Sequence, residues 1–234
     1  MSMHCRKKFL NISFLMSIIV PIYRQEGKRM DKRKTTGKLL MKLKNHNGWG
    51  CSHSIRVSRY AVETGKCLGL NDKEIDCLFT AALLHDIGKL FIPKRLLDKP
   101  GKLTKAEYRL MKCHAGFGYL LLKILGYPKE IGEAVRNHHE RYDGRGYRRK
   151  KEISLFAAII CVADAYDAMK HSRPYRETMD DFEIYCAMAT GSGEQFNPVI
   201  WRVMSGIVFP VKQNLYGMEE EKANDSSNQT MDRE

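Results

Sequence analysis

Apolar positions in this chain recur at the spacing of helix faces, and no stretch shows the apolar/polar alternation of a strand. Ile75, Leu78, Phe79, Ala82 and Leu83 stand at i, i+3, i+4, i+7 and i+8, which predicts a helix with one buried stripe. His85, seven residues after Leu78, and Asp86, four after Ala82, continue that stripe toward the interior, and the helix is expected to end in them. Asn71 and Glu74 have the spacing of a capping box for the start of this helix. Thr104 and Glu107 repeat it for a helix running through His114 to about Leu125. Upstream, Lys38 to Asn45 reads as a short basic amphipathic helix, and Ser52 as the cap of a helix from His53 to about Leu68. Pro93, Pro100 and Gly101 mark a loop. Pro128 suits the first turn of a helix carrying Ile131, Ala134, Val135, His138 and His139, and the glycines between Asp143 and Tyr147 mark a turn. Ile153 to Met169 is a long apolar helix, and two more span Asp181 to Ala189 and Pro198 to Val208. The expected fold is therefore all-α, a compact multi-helix bundle without internal repeats.

At 234 residues, 43% hydrophobic and 29% charged, the chain suits one globular domain with polar ends and is not a disordered one. Three segments are expected: a basic and hydrophobic extension over 1–36, the helical domain over 37–210 and a polar, disordered tail over 211–234. No input domain of ordinary size is expected before the core. The formal charge of +13 points to anionic partners. The basic run from Lys28 to Lys44 has no interleaved aromatic ring, however, and reads as a solvated helix face or flexible arm, so duplex nucleic acid is not expected. Residues 9–23 fall short of the ~20 apolar residues of a membrane span, and no small-x-small cleavage site follows them. A helix packing on the domain or mediating a homodimer is preferred there over membrane association. The seven cysteines are scattered and form no Cys-x-x-Cys pair, which suits reduced thiols in a cytosol. Cys67, Cys77, Cys161 and Cys186 sit in apolar helical patterns and read as small core residues.

The chemistry lies in the polar residues on these apolar faces. His138 and His139 follow Ile131 by seven and eight, Asp164 follows Ile160 by four, and His114 follows Leu110 by four. His53 opens its own helix. Five of the eight histidines and two aspartates thus share an inward orientation across five helices. A lone histidine of this kind is usually a satisfied core residue, but a set of seven groups is most simply a metal site, because a cation makes several buried imidazoles and carboxylates compatible with folding. Neighbouring residues on a helix diverge by about 100°, so His138 and His139 suit two ions better than one. Oxygen and nitrogen donors without thiolate favour iron, manganese or zinc-like ions. A pair of such ions suits hydrolysis of a phosphate ester, and Lys89, one turn beyond His85, adds positive charge there.

In order along the chain, His53, His85-Asp86-x-x-Lys89, His114, His138-His139-Glu140, Asp143 to Tyr147, Asp164 to Ala168 and Arg173 to Arg176 resemble the motifs of the HD-GYP family, a branch of the HD phosphohydrolases. The resemblance runs from about Leu39 to Val208. It implies an all-helical, metal-dependent phosphodiesterase that hydrolyses cyclic di-GMP to the linear dinucleotide or to GMP. By that resemblance His53, His85, Asp86 and Asp164 hold one divalent ion, and Asp86 bridges to a second held by His114, His138 and His139. Iron or manganese is expected, with zinc, nickel and magnesium also compatible. Lys89 contacts the scissile phosphate, and Tyr147, Arg173 and Arg176 bind the nucleotide. Two departures stand out. Arg148 replaces the proline of the family's Gly-Tyr-Pro and is expected to leave the backbone freer, within a shortened, basic loop from Arg148 to Glu152. Trp49 stands where members with a third metal carry glutamate, so two ions are expected. The alternatives are a phosphohydrolase for another cyclic dinucleotide or nucleotide, or a regulatory module contacting proteins such as diguanylate cyclases.

Overall fold

A computed structural model describes residues 31–48, 50–150, 152–171 and 179–210. Its order is α1 (Lys32–His46), α2 (Gly50–Cys67), α3 (Asp72–Leu83), a 3₁₀ helix (Ile87–Phe91), α4 (Lys94–Leu97), α5 (Lys105–Ile124), α6 (Lys129–Asn137), α7 (Leu155–Lys170), α8 (Asp181–Thr190) and α9 (Pro198–Val208). The described residues contain no strand, only an isolated bridge between Ser192 and Phe196. α2 packs between α3 and α7, α5 lies against the 3₁₀ helix and α6, and α9 covers α2 and α7. The main core joins Leu39 and Leu43 of α1 to Val57, Leu78, Leu121, Val135, Ile159, Ile160 and Met204. A smaller cluster of Ile92, Leu96, Leu97, Cys113 and Phe117 fixes α4 and the preceding loop on α5.

Several boundaries differ from the sequence expectations. α1 starts earlier, at Lys32, because the Asp31 carboxylate accepts the backbone N–H groups of Arg33 and Lys34. α2 starts at Gly50, so Ser52 lies within its first turn and is not its cap. α7 starts at Leu155, where the Ser154 hydroxyl accepts the Ala157 N–H. The expected loop at Pro93 holds α4. Phe79 is exposed, on the flank of α3 rather than in its stripe, and Cys67 and Cys186 are exposed, unlike Cys161. α3 stops at Leu83 and α6 at Asn137, so the histidines that follow them lie in helix exits. At each exit the ring Nδ1–H donates to a carbonyl three residues back, His85 to Ala82 and His138 to Val135, both at 2.7 Å. That carbonyl is the one the next residue's amide would use to extend the helix, and after α3 the backbone tightens into i→i+3 bonds. His114 makes the same contact, to Met111, inside α5, where the helix continues. The contact therefore favours an exit without enforcing one.

Both capping boxes form as expected, at Asn71–Glu74 and Thr104–Glu107. The second also ties down the loop, since Lys99 Nζ contacts both Glu107 oxygens at 2.7 and 2.9 Å. Lys99, and then the Thr104 amide and hydroxyl, hold the Glu107 carboxyl at about 2. A carboxylate depressed on folding adds stability above its ordinary value of 4.5, and that stability is lost as pH falls toward 2. Glu107→Gln is expected to flatten the fall in unfolding midpoint between pH 4.5 and 2 relative to the parent chain. Identical pH profiles would show that this cap carries no such linkage. Among the described residues no helix is long and apolar enough to cross a membrane, and residues 9–23 lie outside them.

Candidate metal centre

The helix exits, the start of α2 and the middles of α5 and α7 converge on one buried point. His53, His85, Asp86, His114 and His138 are at most 2% exposed, whereas His139 and Asp164 are partly open to solvent. Three overlapping groups have ligand atoms within 4.8 Å of one another: Asp86 with His114, His138 and His139; His53 with His85 and Asp86; and His85 with His138 and Asp164. Asp86 is shared by the first two, and His85 and His138 meet in the third. Asp86 Oδ1 lies 3.4 Å from His114 Nε2, while Asp86 Oδ2 lies 3.4 Å from His85 Nε2 and 4.0 Å from His53 Nε2. Asp164 Oδ1 is 3.0 Å from His53 Nε2 and 3.9 Å from His85 Nε2.

The protonation pattern fits a cation. A carbonyl can only accept, so the Nδ1 contacts of His85, His114 and His138 fix the proton on Nδ1 in their neutral forms and leave the Nε2 lone pair facing inward. His85 Nε2 is buried without a hydrogen bond, and the Nε2 atoms of His114 and His138 face each other at 3.4 Å. Two opposed lone pairs repel unless a cation or proton lies between them. Burial pushes the His114 and His138 imidazoles down, with Lys89 and the neighbouring rings adding to the effect, and His139 falls to about 3 through burial and then His114. These rings are therefore neutral, as ligands must be. Burial would raise the Asp86 carboxyl, but Lys89 Nζ at 2.5 Å and the nearby imidazoles hold it well below the usual carboxylate range. His53 moves the other way: burial would lower it, yet the hydrogen-bonding carboxylates of Asp164 and Asp167 raise it to about 9. A cation would take the place of that proton.

All seven expected ligands thus gather at one place, with Lys89 at the rim, 13% exposed. Tyr147 lies over His139, ring centroids 4.5 Å apart and tilted by 33°. Its phenol is pushed up, first by burial and then by Tyr108. Tyr108 and Lys112, which carried no sequence expectation, extend this face, with Lys112 Nζ 4.9 Å from the centre of the Tyr108 ring and 5.2 Å from that of Tyr147. Trp49, Arg173 and Arg176 lie outside the described residues. Arg148 departs from expectation, because hydrogen bonds to Glu140 and Asn137 tie it down where a freer backbone was expected.

Asp167 was part of a quoted motif but had no assigned role. Its Oδ2 accepts His53 Nδ1–H at 2.6 Å, and both its oxygens take Arg56, at 2.6 and 3.0 Å. The signal available was spacing: Asp167 is one turn after Asp164, and Arg56 one turn after His53. This carboxylate orients the His53 ring, and for a histidine that does hold a metal, losing such a partner typically weakens binding about 10–100-fold. Asp167→Asn is therefore expected to raise the metal dissociation constant by about that factor in a chelator competition, with helix content unchanged. Parent-like affinity would remove Asp167 from the centre.

The site and fold define a helical protein with a histidine–aspartate centre, and the HD domain family matches residues 38–200. The chain belongs to that family, and within it to the HD-GYP branch that its motifs resemble. Among curated proteins it is 43% identical over 130 residues to a 3'3'-cGAMP-specific phosphodiesterase of Vibrio cholerae, covering 54% of this chain and 28% of that protein. It is 38% identical over 176 residues to a cyclic di-GMP phosphodiesterase response regulator of Xanthomonas campestris, covering 71% and 46%. The chain thus spans less than half the length of either relative. A solved HDG"Y"P protein of Bdellovibrio bacteriovorus shares the fold at a TM-score of 0.61 and 17% identity, covering 84% of this chain and 69% of that one.

Proposed function

We propose that this chain is a metal-dependent phosphodiesterase that opens a cyclic dinucleotide, cyclic di-GMP first among the candidates, to the linear dinucleotide or on to GMP. The observation that carries the reading is Asp86, whose two oxygens face two different sets of histidines. His53, His85, Asp86 and Asp164 would hold one divalent ion, and Asp86, His114, His138 and His139 the other; the donors suit iron, manganese or zinc-like ions, and the resemblance favours iron or manganese. When bound, such ions activate water and withdraw charge from a phosphodiester. The chain's own groups handle the substrate. Lys89 brings an ammonium to the rim, where it offsets phosphate charge. Tyr147 offers a stacking surface beside the centre, continued by Tyr108 and Lys112. Arg173 and Arg176 are assigned to the nucleotide by resemblance alone. Reduced cysteines and a nucleotide substrate suit a bacterial cytosol.

The relative specific for 3'3'-cGAMP is the observation that favours a second substrate. The test is hydrolysis by the chain purified without oxygen and loaded separately with iron(II) and manganese(II), with metal content measured in the same samples. Cyclic di-GMP, 3'3'-cGAMP and cyclic di-AMP are compared. About two ions per chain with linear dinucleotide or GMP from the first substrate is the expected result. Turnover of 3'3'-cGAMP alone moves the substrate assignment. Two ions and no turnover of any of the three overturns the enzyme reading in favour of a signalling module that contacts partner proteins.

A further inference from the structure

The loop after His139 folds back on itself around a buried carboxylate. Glu140 is fully buried, and its oxygens each accept one backbone N–H from beyond the turn, Oε1 from Arg148 at 2.7 Å and Oε2 from Lys150 at 3.0 Å. Arg149, between the two donors, has φ +56°, the left-handed conformation that turns both N–H groups to one side. The Arg148 guanidinium donates in addition to Asn137 Oδ1 at 2.8 Å, and Asn137, 1% exposed, is held by Glu133 one turn back in α6. The chain passes so close to Glu140 that a Cβ at Gly146 would lie 2.4 Å from the Glu140 Cα. Tyr147 sits between these fixed points, its N–H donating to the His139 carbonyl at 3.3 Å.

We propose that Arg148 is a positioning residue that fixes the Tyr147 ring over His139, through its backbone bond to Glu140 and its side-chain bond to Asn137. A proline at this position would have no N–H for the buried carboxylate. This chain therefore uses two hydrogen bonds where Gly-Tyr-Pro relatives use a ring, and the constraint reaches Tyr147 from both sides of the Arg148 backbone. Such bonds, at a partly desolvated place and with a charged partner in each, are worth about a tenfold effect. The inference rests on the reading of Tyr147 as part of the substrate face. It concerns how the ring is presented and leaves the metal ligands untouched.

Arg148→Met removes the Asn137 bond and keeps the backbone N–H, while Arg148→Lys keeps a donor on a stem of similar length. Both are compared with the parent, metal-loaded, in three measurements: cleavage by chymotrypsin after Tyr147, read by mass spectrometry; KM and kcat for the cyclic dinucleotide; and turnover of bis(4-nitrophenyl) phosphate, a diester without a base to stack. Arg148→Met is expected to speed cleavage and raise KM about tenfold each, with kcat, metal content and turnover of the chromogenic diester unchanged. Arg148→Lys is expected to return both values most of the way to the parent's. Unchanged cleavage and KM in Arg148→Met would overturn the proposal. So would a parallel loss of metal and of chromogenic turnover, which would make the residue structural. If the parent hydrolyses the chromogenic diester but no cyclic dinucleotide, the proposed function fails, and the chymotrypsin rate alone decides on Arg148: faster cleavage supports it and parent-like cleavage rejects it.

Discussion

Asp86→Ala is expected to lower bound metal from about two ions per chain to less than one and to reduce phosphodiester turnover on the order of 10³-fold or more. The size of the effect follows from position. The carboxylate is 2% exposed and belongs to both the His53–His85 set and the His114–His138–His139 set, with one oxygen toward each. Without it the His114–His138–His139 set has no carboxylate and the His53–His85 set keeps only Asp164, so both lose negative charge that a divalent ion needs in a desolvated place. Lys89 then faces the histidines without the Asp86 carboxylate, which adds repulsion against any cation. The metal-free variant should nevertheless keep its helix content and a melting temperature close to that of the metal-free parent, because Lys89 lies at the rim and can turn to water. Loss of one ion with the other retained at parent affinity would show that Asp86 serves one set only. Parent-like turnover with two ions would remove it from the centre.

How far the chain could be read without coordinates depended on the range of each interaction. The boxes at Asn71 and Thr104 are completed within three residues, and both form as expected. The inward histidines were recoverable because burial follows helical periodicity, which places His114, His138 and Asp86 on the core side whatever the exact end of each helix. The exits were recoverable only to within two or three residues, since the Ile75 helix was expected to end in His85-Asp86. α3 ends at Leu83 where a ring N–H takes a backbone carbonyl and a 3₁₀ segment docks on α5, and neither event has a signature in local propensity. Phe79 shows the limit of the stripe: at i+4 from Ile75 it fits the face on paper, yet it lies on the flank that α3 leaves open. Asp167 and Glu140 needed tertiary partners to acquire a meaning, His53 from 114 residues away and the amides of Arg148 and Lys150 from across a turn. Arg148 was misread for the same reason. As a substitution for proline it looks like lost rigidity, and only the buried acceptors at Glu140 and Asn137 show what replaces it.

Gly88→Ala is expected to destabilise the metal-free chain by about 3 kcal/mol or more and to open the centre at the same time. Gly88 lies in the 3₁₀ helix two residues after Asp86 and next to Lys89, where that segment crosses α5. A Cβ there would stand 1.9 Å from the His114 carbonyl oxygen, 2.5 Å from the Gly118 nitrogen and 2.8 Å from the His114 carbonyl carbon. All three are backbone atoms, so no side-chain rotation relieves the overlap, and the two segments must separate by about an ångström or more to restore ordinary contact. His114 and Asp86 ride on those two segments, and the 3.4 Å between their ligand atoms widens accordingly. Two other glycines of α5 provide the comparison. A Cβ at Gly118 would meet Val135 Cγ1, a side-chain atom that can move, at 2.9 Å and the Gly88 backbone nitrogen only at 3.3 Å, so Gly118→Ala should cost less. At Gly116, exposed and with nothing within 4 Å of the added carbon, alanine should be neutral or stabilise by about 0.5–1 kcal/mol through helix propensity. Denaturant midpoints and metal content of the three variants separate the effects. Gly88→Ala should fall in both and Gly116→Ala in neither, whereas parent-like metal affinity in Gly88→Ala would mean that the crossing of the 3₁₀ helix with α5 does not hold the two halves of the centre together.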